Sequence, residues 1–415
     1  MIWQDELKSA LRSAEDLFRE GFIRAEEVEA YQRVISRFPF FLTRYYAGLI
    51  NKENPKCPIR LQAIPSLEEL ETDGHFTTDP LSDLAYKPAP HITHRYRDRV
   101  LLHLTPNCSM VCRFCFRKSL LTKSLSQDLL RNEAWRKARR QGRRRQKGGG
   151  GLEGPASTFD PEDAVQSALK PAVVARSLEV GSRDSQGLFE GSIQEGINYI
   201  AGHPEIREVI FSGGDPWMVS SEKLESVLGQ IERIFHVSRV RFHTRVPVTL
   251  PDRIDDDLMR VLARRRFAIV VVAHFNHPKE ITAESASAVG RLLNGKYLIL
   301  NQSVLLRGVN DSAPVLKELW EKLFEISVVP YYLHHPDRAS GTRHFDLPLE
   351  VGLRLYDKAR EGLPGYLVPK YVVDSEGISY KMPVSDYLFR FGGSSKGLSS
   401  SSIESESMVD MASAI

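Results

Sequence analysis

Cysteine is almost missing from this chain, with four among 415 residues, and three of the four fall at positions 108, 112 and 115. So few thiols exclude a disulfide framework and point to a reduced, intracellular chain with a metal or redox site. An excess of charge is missing too. Lys and Arg number 56 against 53 Asp and Glu, a net charge of +3, so bulk electrostatics give no reason to expect a nucleic-acid binder. No apolar run approaches the roughly 20 residues a membrane helix needs. The start, "MIWQDELKSALRSAED", is polar and acidic and has no secretory core. A soluble cytoplasmic protein is expected. What the chain does have is 42% hydrophobic residues, enough for one large α/β domain or two to three ordinary ones.

Residues 4–37 read as helical and "INKENPKCPIRLQAIP" as an extended loop. From residue 99 short apolar runs recur: "RVLLHL", "REVIFS", "RVRFHT", "FAIVVVAHF", "KYLILNQSVLL" and "SVVPYYL". Helix-like stretches at 221–234, 255–265, 282–294 and 312–325 separate the later ones. This alternation, with a period of ~30 residues, predicts βα units around a buried parallel sheet. Six such strands predict an α/β fold, an open or partial (βα)6 barrel with its chemistry at the C-terminal strand ends. Three regions follow. Residues 1–84 form an N-terminal helical region and loop, 85–390 a catalytic domain, and 391–415 a tail. Within the second, 119–185 is too long to join one strand to its helix and carries "RKARRQGRRRQKGGGGLEGP". That insertion and the serine-rich tail read as disordered, and a solvated segment without a role is the simplest account of the basic run.

The cysteines lie in "TPNCSMVCRFCFRK", directly after the first expected strand. Three thiolates are one short of a closed zinc site and of a four-cysteine iron–sulfur cage. One reading is zinc completed by a histidine such as His103. The spacing Cys108-x3-Cys112-x2-Cys115, with an aromatic at 114, resembles instead the motif of the radical S-adenosylmethionine (SAM) enzymes. The resemblance implies a [4Fe–4S] cluster on the three cysteines, an open fourth iron that binds SAM, and a 5′-deoxyadenosyl radical made from it. "FSGGDP" at the end of the second strand, with Ser212, Gly213, Gly214 and Asp215, is similar to that family's glycine-rich segment, which meets the methionyl amine of SAM. Glycines there let backbone approach a ligand, and Asp215 would accept from the amine.

A closer resemblance is to the lysine 2,3-aminomutase family. It is carried by "HRYRDRVLLHLTPNCSMVCRFCFR", "VIFSGGDP", "FHTRVPV", "HFNHPKEIT", "NQSVLLRGVND", "PYYLHHPD" and "YVVDSEGISYKMPV", in the family's order over more than half the chain. The resemblance implies pyridoxal 5′-phosphate (PLP) on Lys381, seven residues after Asp374. In the family this lysine commonly follows a run of glycines; here it follows "GISY". The resemblance also implies PLP phosphate on Arg95 and Arg99 with Tyr96 between them, and the substrate carboxylate on Arg117. His274 and Gln302 would be polar contacts to SAM, and Asp337 and Asp374 would clamp the far ammonium of lysine. Forked guanidinium groups suit phosphate and carboxylate, and two carboxylates suit an ammonium and repel a side-chain carboxylate.

Members with a structural zinc carry a cysteine after "RGVND", where this chain has Ser312, and a C-terminal cysteine cluster, whereas no cysteine follows Cys115 here. The chain therefore resembles the zinc-free branch, which includes enzymes that isomerise lysine for elongation factor P. The implied activity is a radical 1,2-amino shift giving β-lysine, with lysine as the small-molecule partner. A reducing electron donor such as flavodoxin or ferredoxin is implied, without membrane or nucleic acid, and a homo-oligomer is compatible. The reading from a different class is a non-catalytic cluster protein that binds RNA or a translation factor.

Overall fold

The computed structural model describes residues 3–71, 74–119, 191–374, 378 and 380–391. The basic, glycine-rich run and the serine-rich tail lie outside the described residues.

Among the described residues nine strands form one sheet in chain order: β1 (Ile92–Tyr96), β2 (Arg99–Thr105), β3 (Glu208–Gly213), β4 (Arg239–Thr244), β5 (Ala268–Ala273), β6 (Leu298–Val304), β7 (Val329–His334), β8 (Lys370–Val373) and β9 (Met382–Pro383). β2 through β8 are parallel, while β1 and β9 add antiparallel edges. The six expected strands are β2 to β7, so the expected partial barrel is present, extended by a seventh parallel strand and two edge strands. The four expected helices are Ser221–Glu232, Asp256–Leu262, Ala283–Asn294 and Ala313–Glu325. Their starts follow from local chemistry. Ser220, Asp255 and Thr282 each accept a backbone N–H three residues on, which satisfies an otherwise orphaned donor.

Strand periodicity sorts the two faces of the sheet. On β3 and β4, Val209, Phe211, Val240 and Phe242 are buried, and the Phe211 and Phe242 rings stack at 5.0 Å. Their alternates Ile210, Ser212, Arg241 and His243 line an internal cavity.

The helical N-terminal region is made of short pieces. It breaks into Trp3–Ser9, Ala14–Arg19 and Val28–Arg37. Ser13 starts the second with a reciprocal cap to Asp16, and Gly21 follows it at φ 73°, a left-handed turn. The expected extended loop contains the helix Pro58–Ala63, which proline starts at its first position. This region shares its core with the barrel: Leu11, Leu17, Leu42, Tyr46 and Ile59 join the same buried cluster as Val209 and Trp320.

Candidate functional site

The cysteine loop leaves the C-terminal end of β2 and is held against β3 by backbone. The Gly214 N–H donates to the Thr105 carbonyl at 2.7 Å, and that of Asp215 to the Asn107 carbonyl at 2.8 Å. Gly213 takes φ 113°, and a Cβ on Gly214 would sit 2.3 Å from the Asn107 oxygen. Both glycines are thus required for the two loops to touch. Asp215 is fully engaged inside the protein. It accepts from the Thr244 hydroxyl at 2.9 Å, the Arg245 N–H at 2.7 Å and the Trp217 N–H at 3.1 Å. Burial pushes its carboxyl up to about 6, against these hydrogen bonds. These bonds tie the end of β3 to the end of β4, and Asp215 also lines the cavity of the three cysteines.

The other side of the loop is anchored by a residue the sequence did not single out. Glu69 accepts from Arg113 at 2.9 and 2.5 Å and from Lys118 Nζ at 2.9 Å, and all three side chains are fully buried. Burial raises the Glu69 carboxyl, but the Arg113 and Lys118 charges win and bring it to about 2. Lys118 also donates to the carbonyls of Arg113 and Gly341, at 2.8 and 2.7 Å. Arg113 sits between Cys112 and Cys115, so this triad fixes the loop that presents the thiols.

Cys108, Cys112 and Cys115 line a cavity of about 650 Å³, together with every other residue singled out for cofactor or substrate. Burial, then the charges of Asp215 and the other two cysteines, push the Cys108 thiol well up; burial and Cys112 bring Cys115 to about 11. Three thiolates side by side therefore require cationic charge between them, which a thiolate-bound metal centre supplies. Among the described residues no group of three His, Cys, Asp or Glu side chains closes on a point that could hold a single metal ion. His103, the candidate fourth zinc ligand, instead meets the Thr93 hydroxyl through Nε2 at 2.8 Å. The donor set fits a multi-iron cluster, whose thiolates cap separate corners, better than zinc. Cys57 stands apart, buried in the core at the start of the helix Pro58–Ala63.

Elsewhere in the same cavity, Lys381 is ion-paired with Asp374, and its ammonium lies 5.8 Å from the Tyr332 ring centroid. Burial raises Asp374, yet Lys381 and then His334 hold its carboxyl below the ordinary range. Asp337 is pushed up to about 7, first by burial and then by the Asp374 charge. His334 Nδ1 stands 3.9 Å from Asp374, and burial and Lys381 take His334 down to about 3, so it is neutral. Arg99 stacks over Tyr96 at 4.2 Å and pairs with Asp98 at 2.7 Å, while Arg95 lies over Tyr86 at 5.7 Å. Arg117 donates to Asp83 at 2.8 Å and to the Ser212 hydroxyl at 3.2 Å. Its charge is thus matched before any substrate arrives. His274 Nε2 pairs with Asn276 at 3.1 Å, and burial keeps it neutral. Gln302 lines the cavity from β6, opposite Tyr332 of β7.

Sequence reading missed Glu69, Asp83, Arg245, His243 and His334. His243 could have been found: it alternates with Arg241 on β4 in "RVRFHT" and so shares its face. Its Nε2 is buried with no hydrogen-bond partner among the described residues, and burial, then Arg241 and Lys381, hold it well below the ordinary histidine range. An orphaned ring nitrogen near Lys381, in a cavity lined by five arginines, suits a polar, phosphorylated ligand such as PLP.

The chain is 34% identical to an L-lysine 2,3-aminomutase of Fusobacterium nucleatum over 92% of its own length and 76% of that protein's. It is 33% identical to an L-lysine 2,3-aminomutase of Clostridium subterminale, covering 92% of this chain and 77% of that one. For the L-lysine 2,3-aminomutase of Haemophilus influenzae the identity is 32%, over 90% of this chain and 93% of that protein. No protein-family model matches. Among solved structures, Streptococcus suis SuiB bound to S-adenosylmethionine overlaps 47% of each chain at a TM-score of 0.33 and 12% identity, which carries no weight for function.

Proposed function

The chain belongs to the L-lysine 2,3-aminomutase family, a family of isomerases, and from that premise we propose that it converts lysine to β-lysine by a radical 1,2-amino shift. The observation that carries this reading is the single cavity lined by the three cysteines, the Lys381–Asp374 pair and Asp337. In it, Cys108, Cys112 and Cys115 would hold a [4Fe–4S] cluster, Gly213, Gly214, His274 and Gln302 would flank SAM, and Lys381, Arg95, Tyr96 and Arg99 would hold PLP. Together these groups supply a hydrogen-abstracting radical and a conjugated carrier for the migrating nitrogen.

The protein's own share is placement and charge. Asp374 pairs with the Lys381 ammonium and aligns it toward the cavity where PLP would be held. Arg117, oriented by Asp83, turns its guanidinium to the substrate carboxylate. Asp337, titrating at about 7, is half neutral near neutral pH; a substrate ammonium beside it favours the carboxylate and expels the proton. The neutral His334 and His243 add no cation to compete with that ammonium.

The direct test is anaerobic incubation of the loaded enzyme with reductant, SAM and lysine, followed by chiral amino-acid analysis. β-Lysine is the expected product, and its absence from an enzyme carrying iron and PLP defeats the proposal. Two further outcomes are expected. Asp337→Asn leaves the distal ammonium half-paired at a cost of roughly 2–5 kcal/mol, a loss in lysine turnover of about 30-fold or more. Norleucine, which has no distal charge, should lose little. The wild-type KM for lysine should also fall as pH rises from 6 to 8. The Asp337 carboxyl is raised to about 7, so it is neutral below that value and a charged partner for ammonium above it. Asp337→Asn should flatten this profile, and an unchanged profile would show that the aspartate does not meet the substrate.

A further inference from the structure

Arg245 follows β4, and its guanidinium reaches the cysteine loop. Nη1 donates to Cys112 Sγ at 2.8 Å. Nη2 contacts Glu280 at 2.6 Å, Gln62 Oε1 at 2.7 Å and the Tyr46 hydroxyl at 3.3 Å. The Tyr46 hydroxyl donates to the same Glu280 oxygen at 2.6 Å. The other Glu280 oxygen accepts the N–H groups of Asn276 and His277, at 2.6 and 3.2 Å. The Phe114 and Tyr46 rings lie 5.1 and 5.6 Å from the guanidinium carbon. Glu280 and Tyr46 are fully buried and Arg245 almost so. The loop does not need this network for its anchorage, because Glu69 already clamps Arg113 and Lys118, and backbone bonds tie Val111 to Phe41 and Arg113 to Gln62. What the network adds is a desolvated cation aimed at one sulfur, with a carboxylate on the cation's other nitrogen.

We propose that Arg245 is a positioning residue that sets the reduction potential of the cluster, donating a charge-assisted hydrogen bond to Cys112 Sγ, and that Glu280 is the counter-charge that limits its effect. This rests on the reading that the three cysteines hold an iron–sulfur cluster. Reduction moves one electron from a low-potential donor, which is oxidised, onto the cluster, which gains one negative charge; no bond breaks and no proton moves. A cation 2.8 Å from a ligating sulfur stabilises that added charge and raises the potential. The buried Glu280 carboxylate opposes it. Gln62 and Tyr46 hold the guanidinium in register, so that Nη1 stays on the sulfur.

The test uses the full chain, reconstituted anaerobically with iron and sulfide, in the wild-type form and as Arg245→Gln, Arg245→Lys and Glu280→Gln. Iron and sulfide per chain are measured first. Each protein is then titrated with dithionite through redox mediators, without SAM, following the electron paramagnetic signal of the reduced cluster. At the wild-type midpoint, Arg245→Gln should lower the ratio of reduced to oxidised cluster about tenfold, a shift of ~59 mV to more negative potential for one electron. Arg245→Lys should shift less in the same direction, and Glu280→Gln should shift the opposite way. General loosening of the loop would move both sites in one direction and lower the iron content. Equal midpoints at full iron content, or shifts of the same sign for Arg245→Gln and Glu280→Gln, overturn the proposal while leaving the cluster assignment standing. If Arg245→Gln fails to load iron, Arg245→Lys and Glu280→Gln decide by the sign of their shifts. A wild-type protein that takes up no reducible cluster defeats this proposal and the cluster assignment alike.

Discussion

Replacing Cys108, Cys112 or Cys115 by alanine is expected to abolish both iron loading and SAM cleavage. All three thiols line the same cavity, and burial with mutual repulsion holds Cys108 and Cys115 in the thiol form unless a cationic centre binds them. If the three cysteines hold a [4Fe–4S] cluster, as proposed, none is in reserve, and losing one would open a second corner to solvent. Cys57→Ala is the matched control. Cys57 packs in the core and does not line the cavity, so the change should cost about 1 kcal/mol of stability and leave iron and SAM cleavage intact. Iron and sulfide analysis with a SAM-cleavage assay reads all four variants. Loss of cluster iron in the Cys57 variant alone would overturn the ligand assignment.

Glu69→Ala should be among the most destabilising single changes in the chain. It removes the carboxylate that the fully buried Arg113 guanidinium and Lys118 ammonium share. Breaking a buried ion pair by removing one partner costs about 3–5 kcal/mol. The same group makes a pH prediction. The folded carboxyl sits at about 2, below its ordinary 4.5. Its contribution is fully present above pH 4.5 and is lost as the pH falls toward 2. Denaturant midpoints at pH 7 and pH 4 should therefore differ less for Glu69→Gln than for the wild type. A Glu69→Ala protein as stable as the wild type would mean that Arg113 and Lys118 find other partners. Because Arg113 lies between two of the cysteines, iron uptake should fall with stability. This expected outcome separates Glu69 from Arg245: loss at Glu69 should lower cluster uptake, whereas loss at Arg245 should shift the potential of a cluster that still loads.

The strands and helices of the barrel were readable in the sequence because their signals are local. "FAIVVVAHF" is a β-branched run of strand length, and Ser220, Asp255 and Thr282 mark helix starts by bonds spanning three residues. The cysteine loop was legible for the same reason: three thiols in eight positions need no tertiary context to be noticed. Short or interrupted elements were not. β8 and β9 hold four and two residues, too few to show a period, and the N-terminal helices are broken by a capping serine and a left-handed glycine. Resemblance to a family named the residues of the site one by one, and the fold brings them to one cavity. How those residues pair was decided only by the tertiary structure. Glu69 meets Arg113 across 44 positions, Asp83 meets Arg117 across 34, Arg245 meets Cys112 across 133, and Asp215 spends its carboxylate on β4. Such pairs leave no period or spacing in the chain. They exist because burial strips water from charges that the fold has brought together, and each desolvated charge must then find its partner across the core.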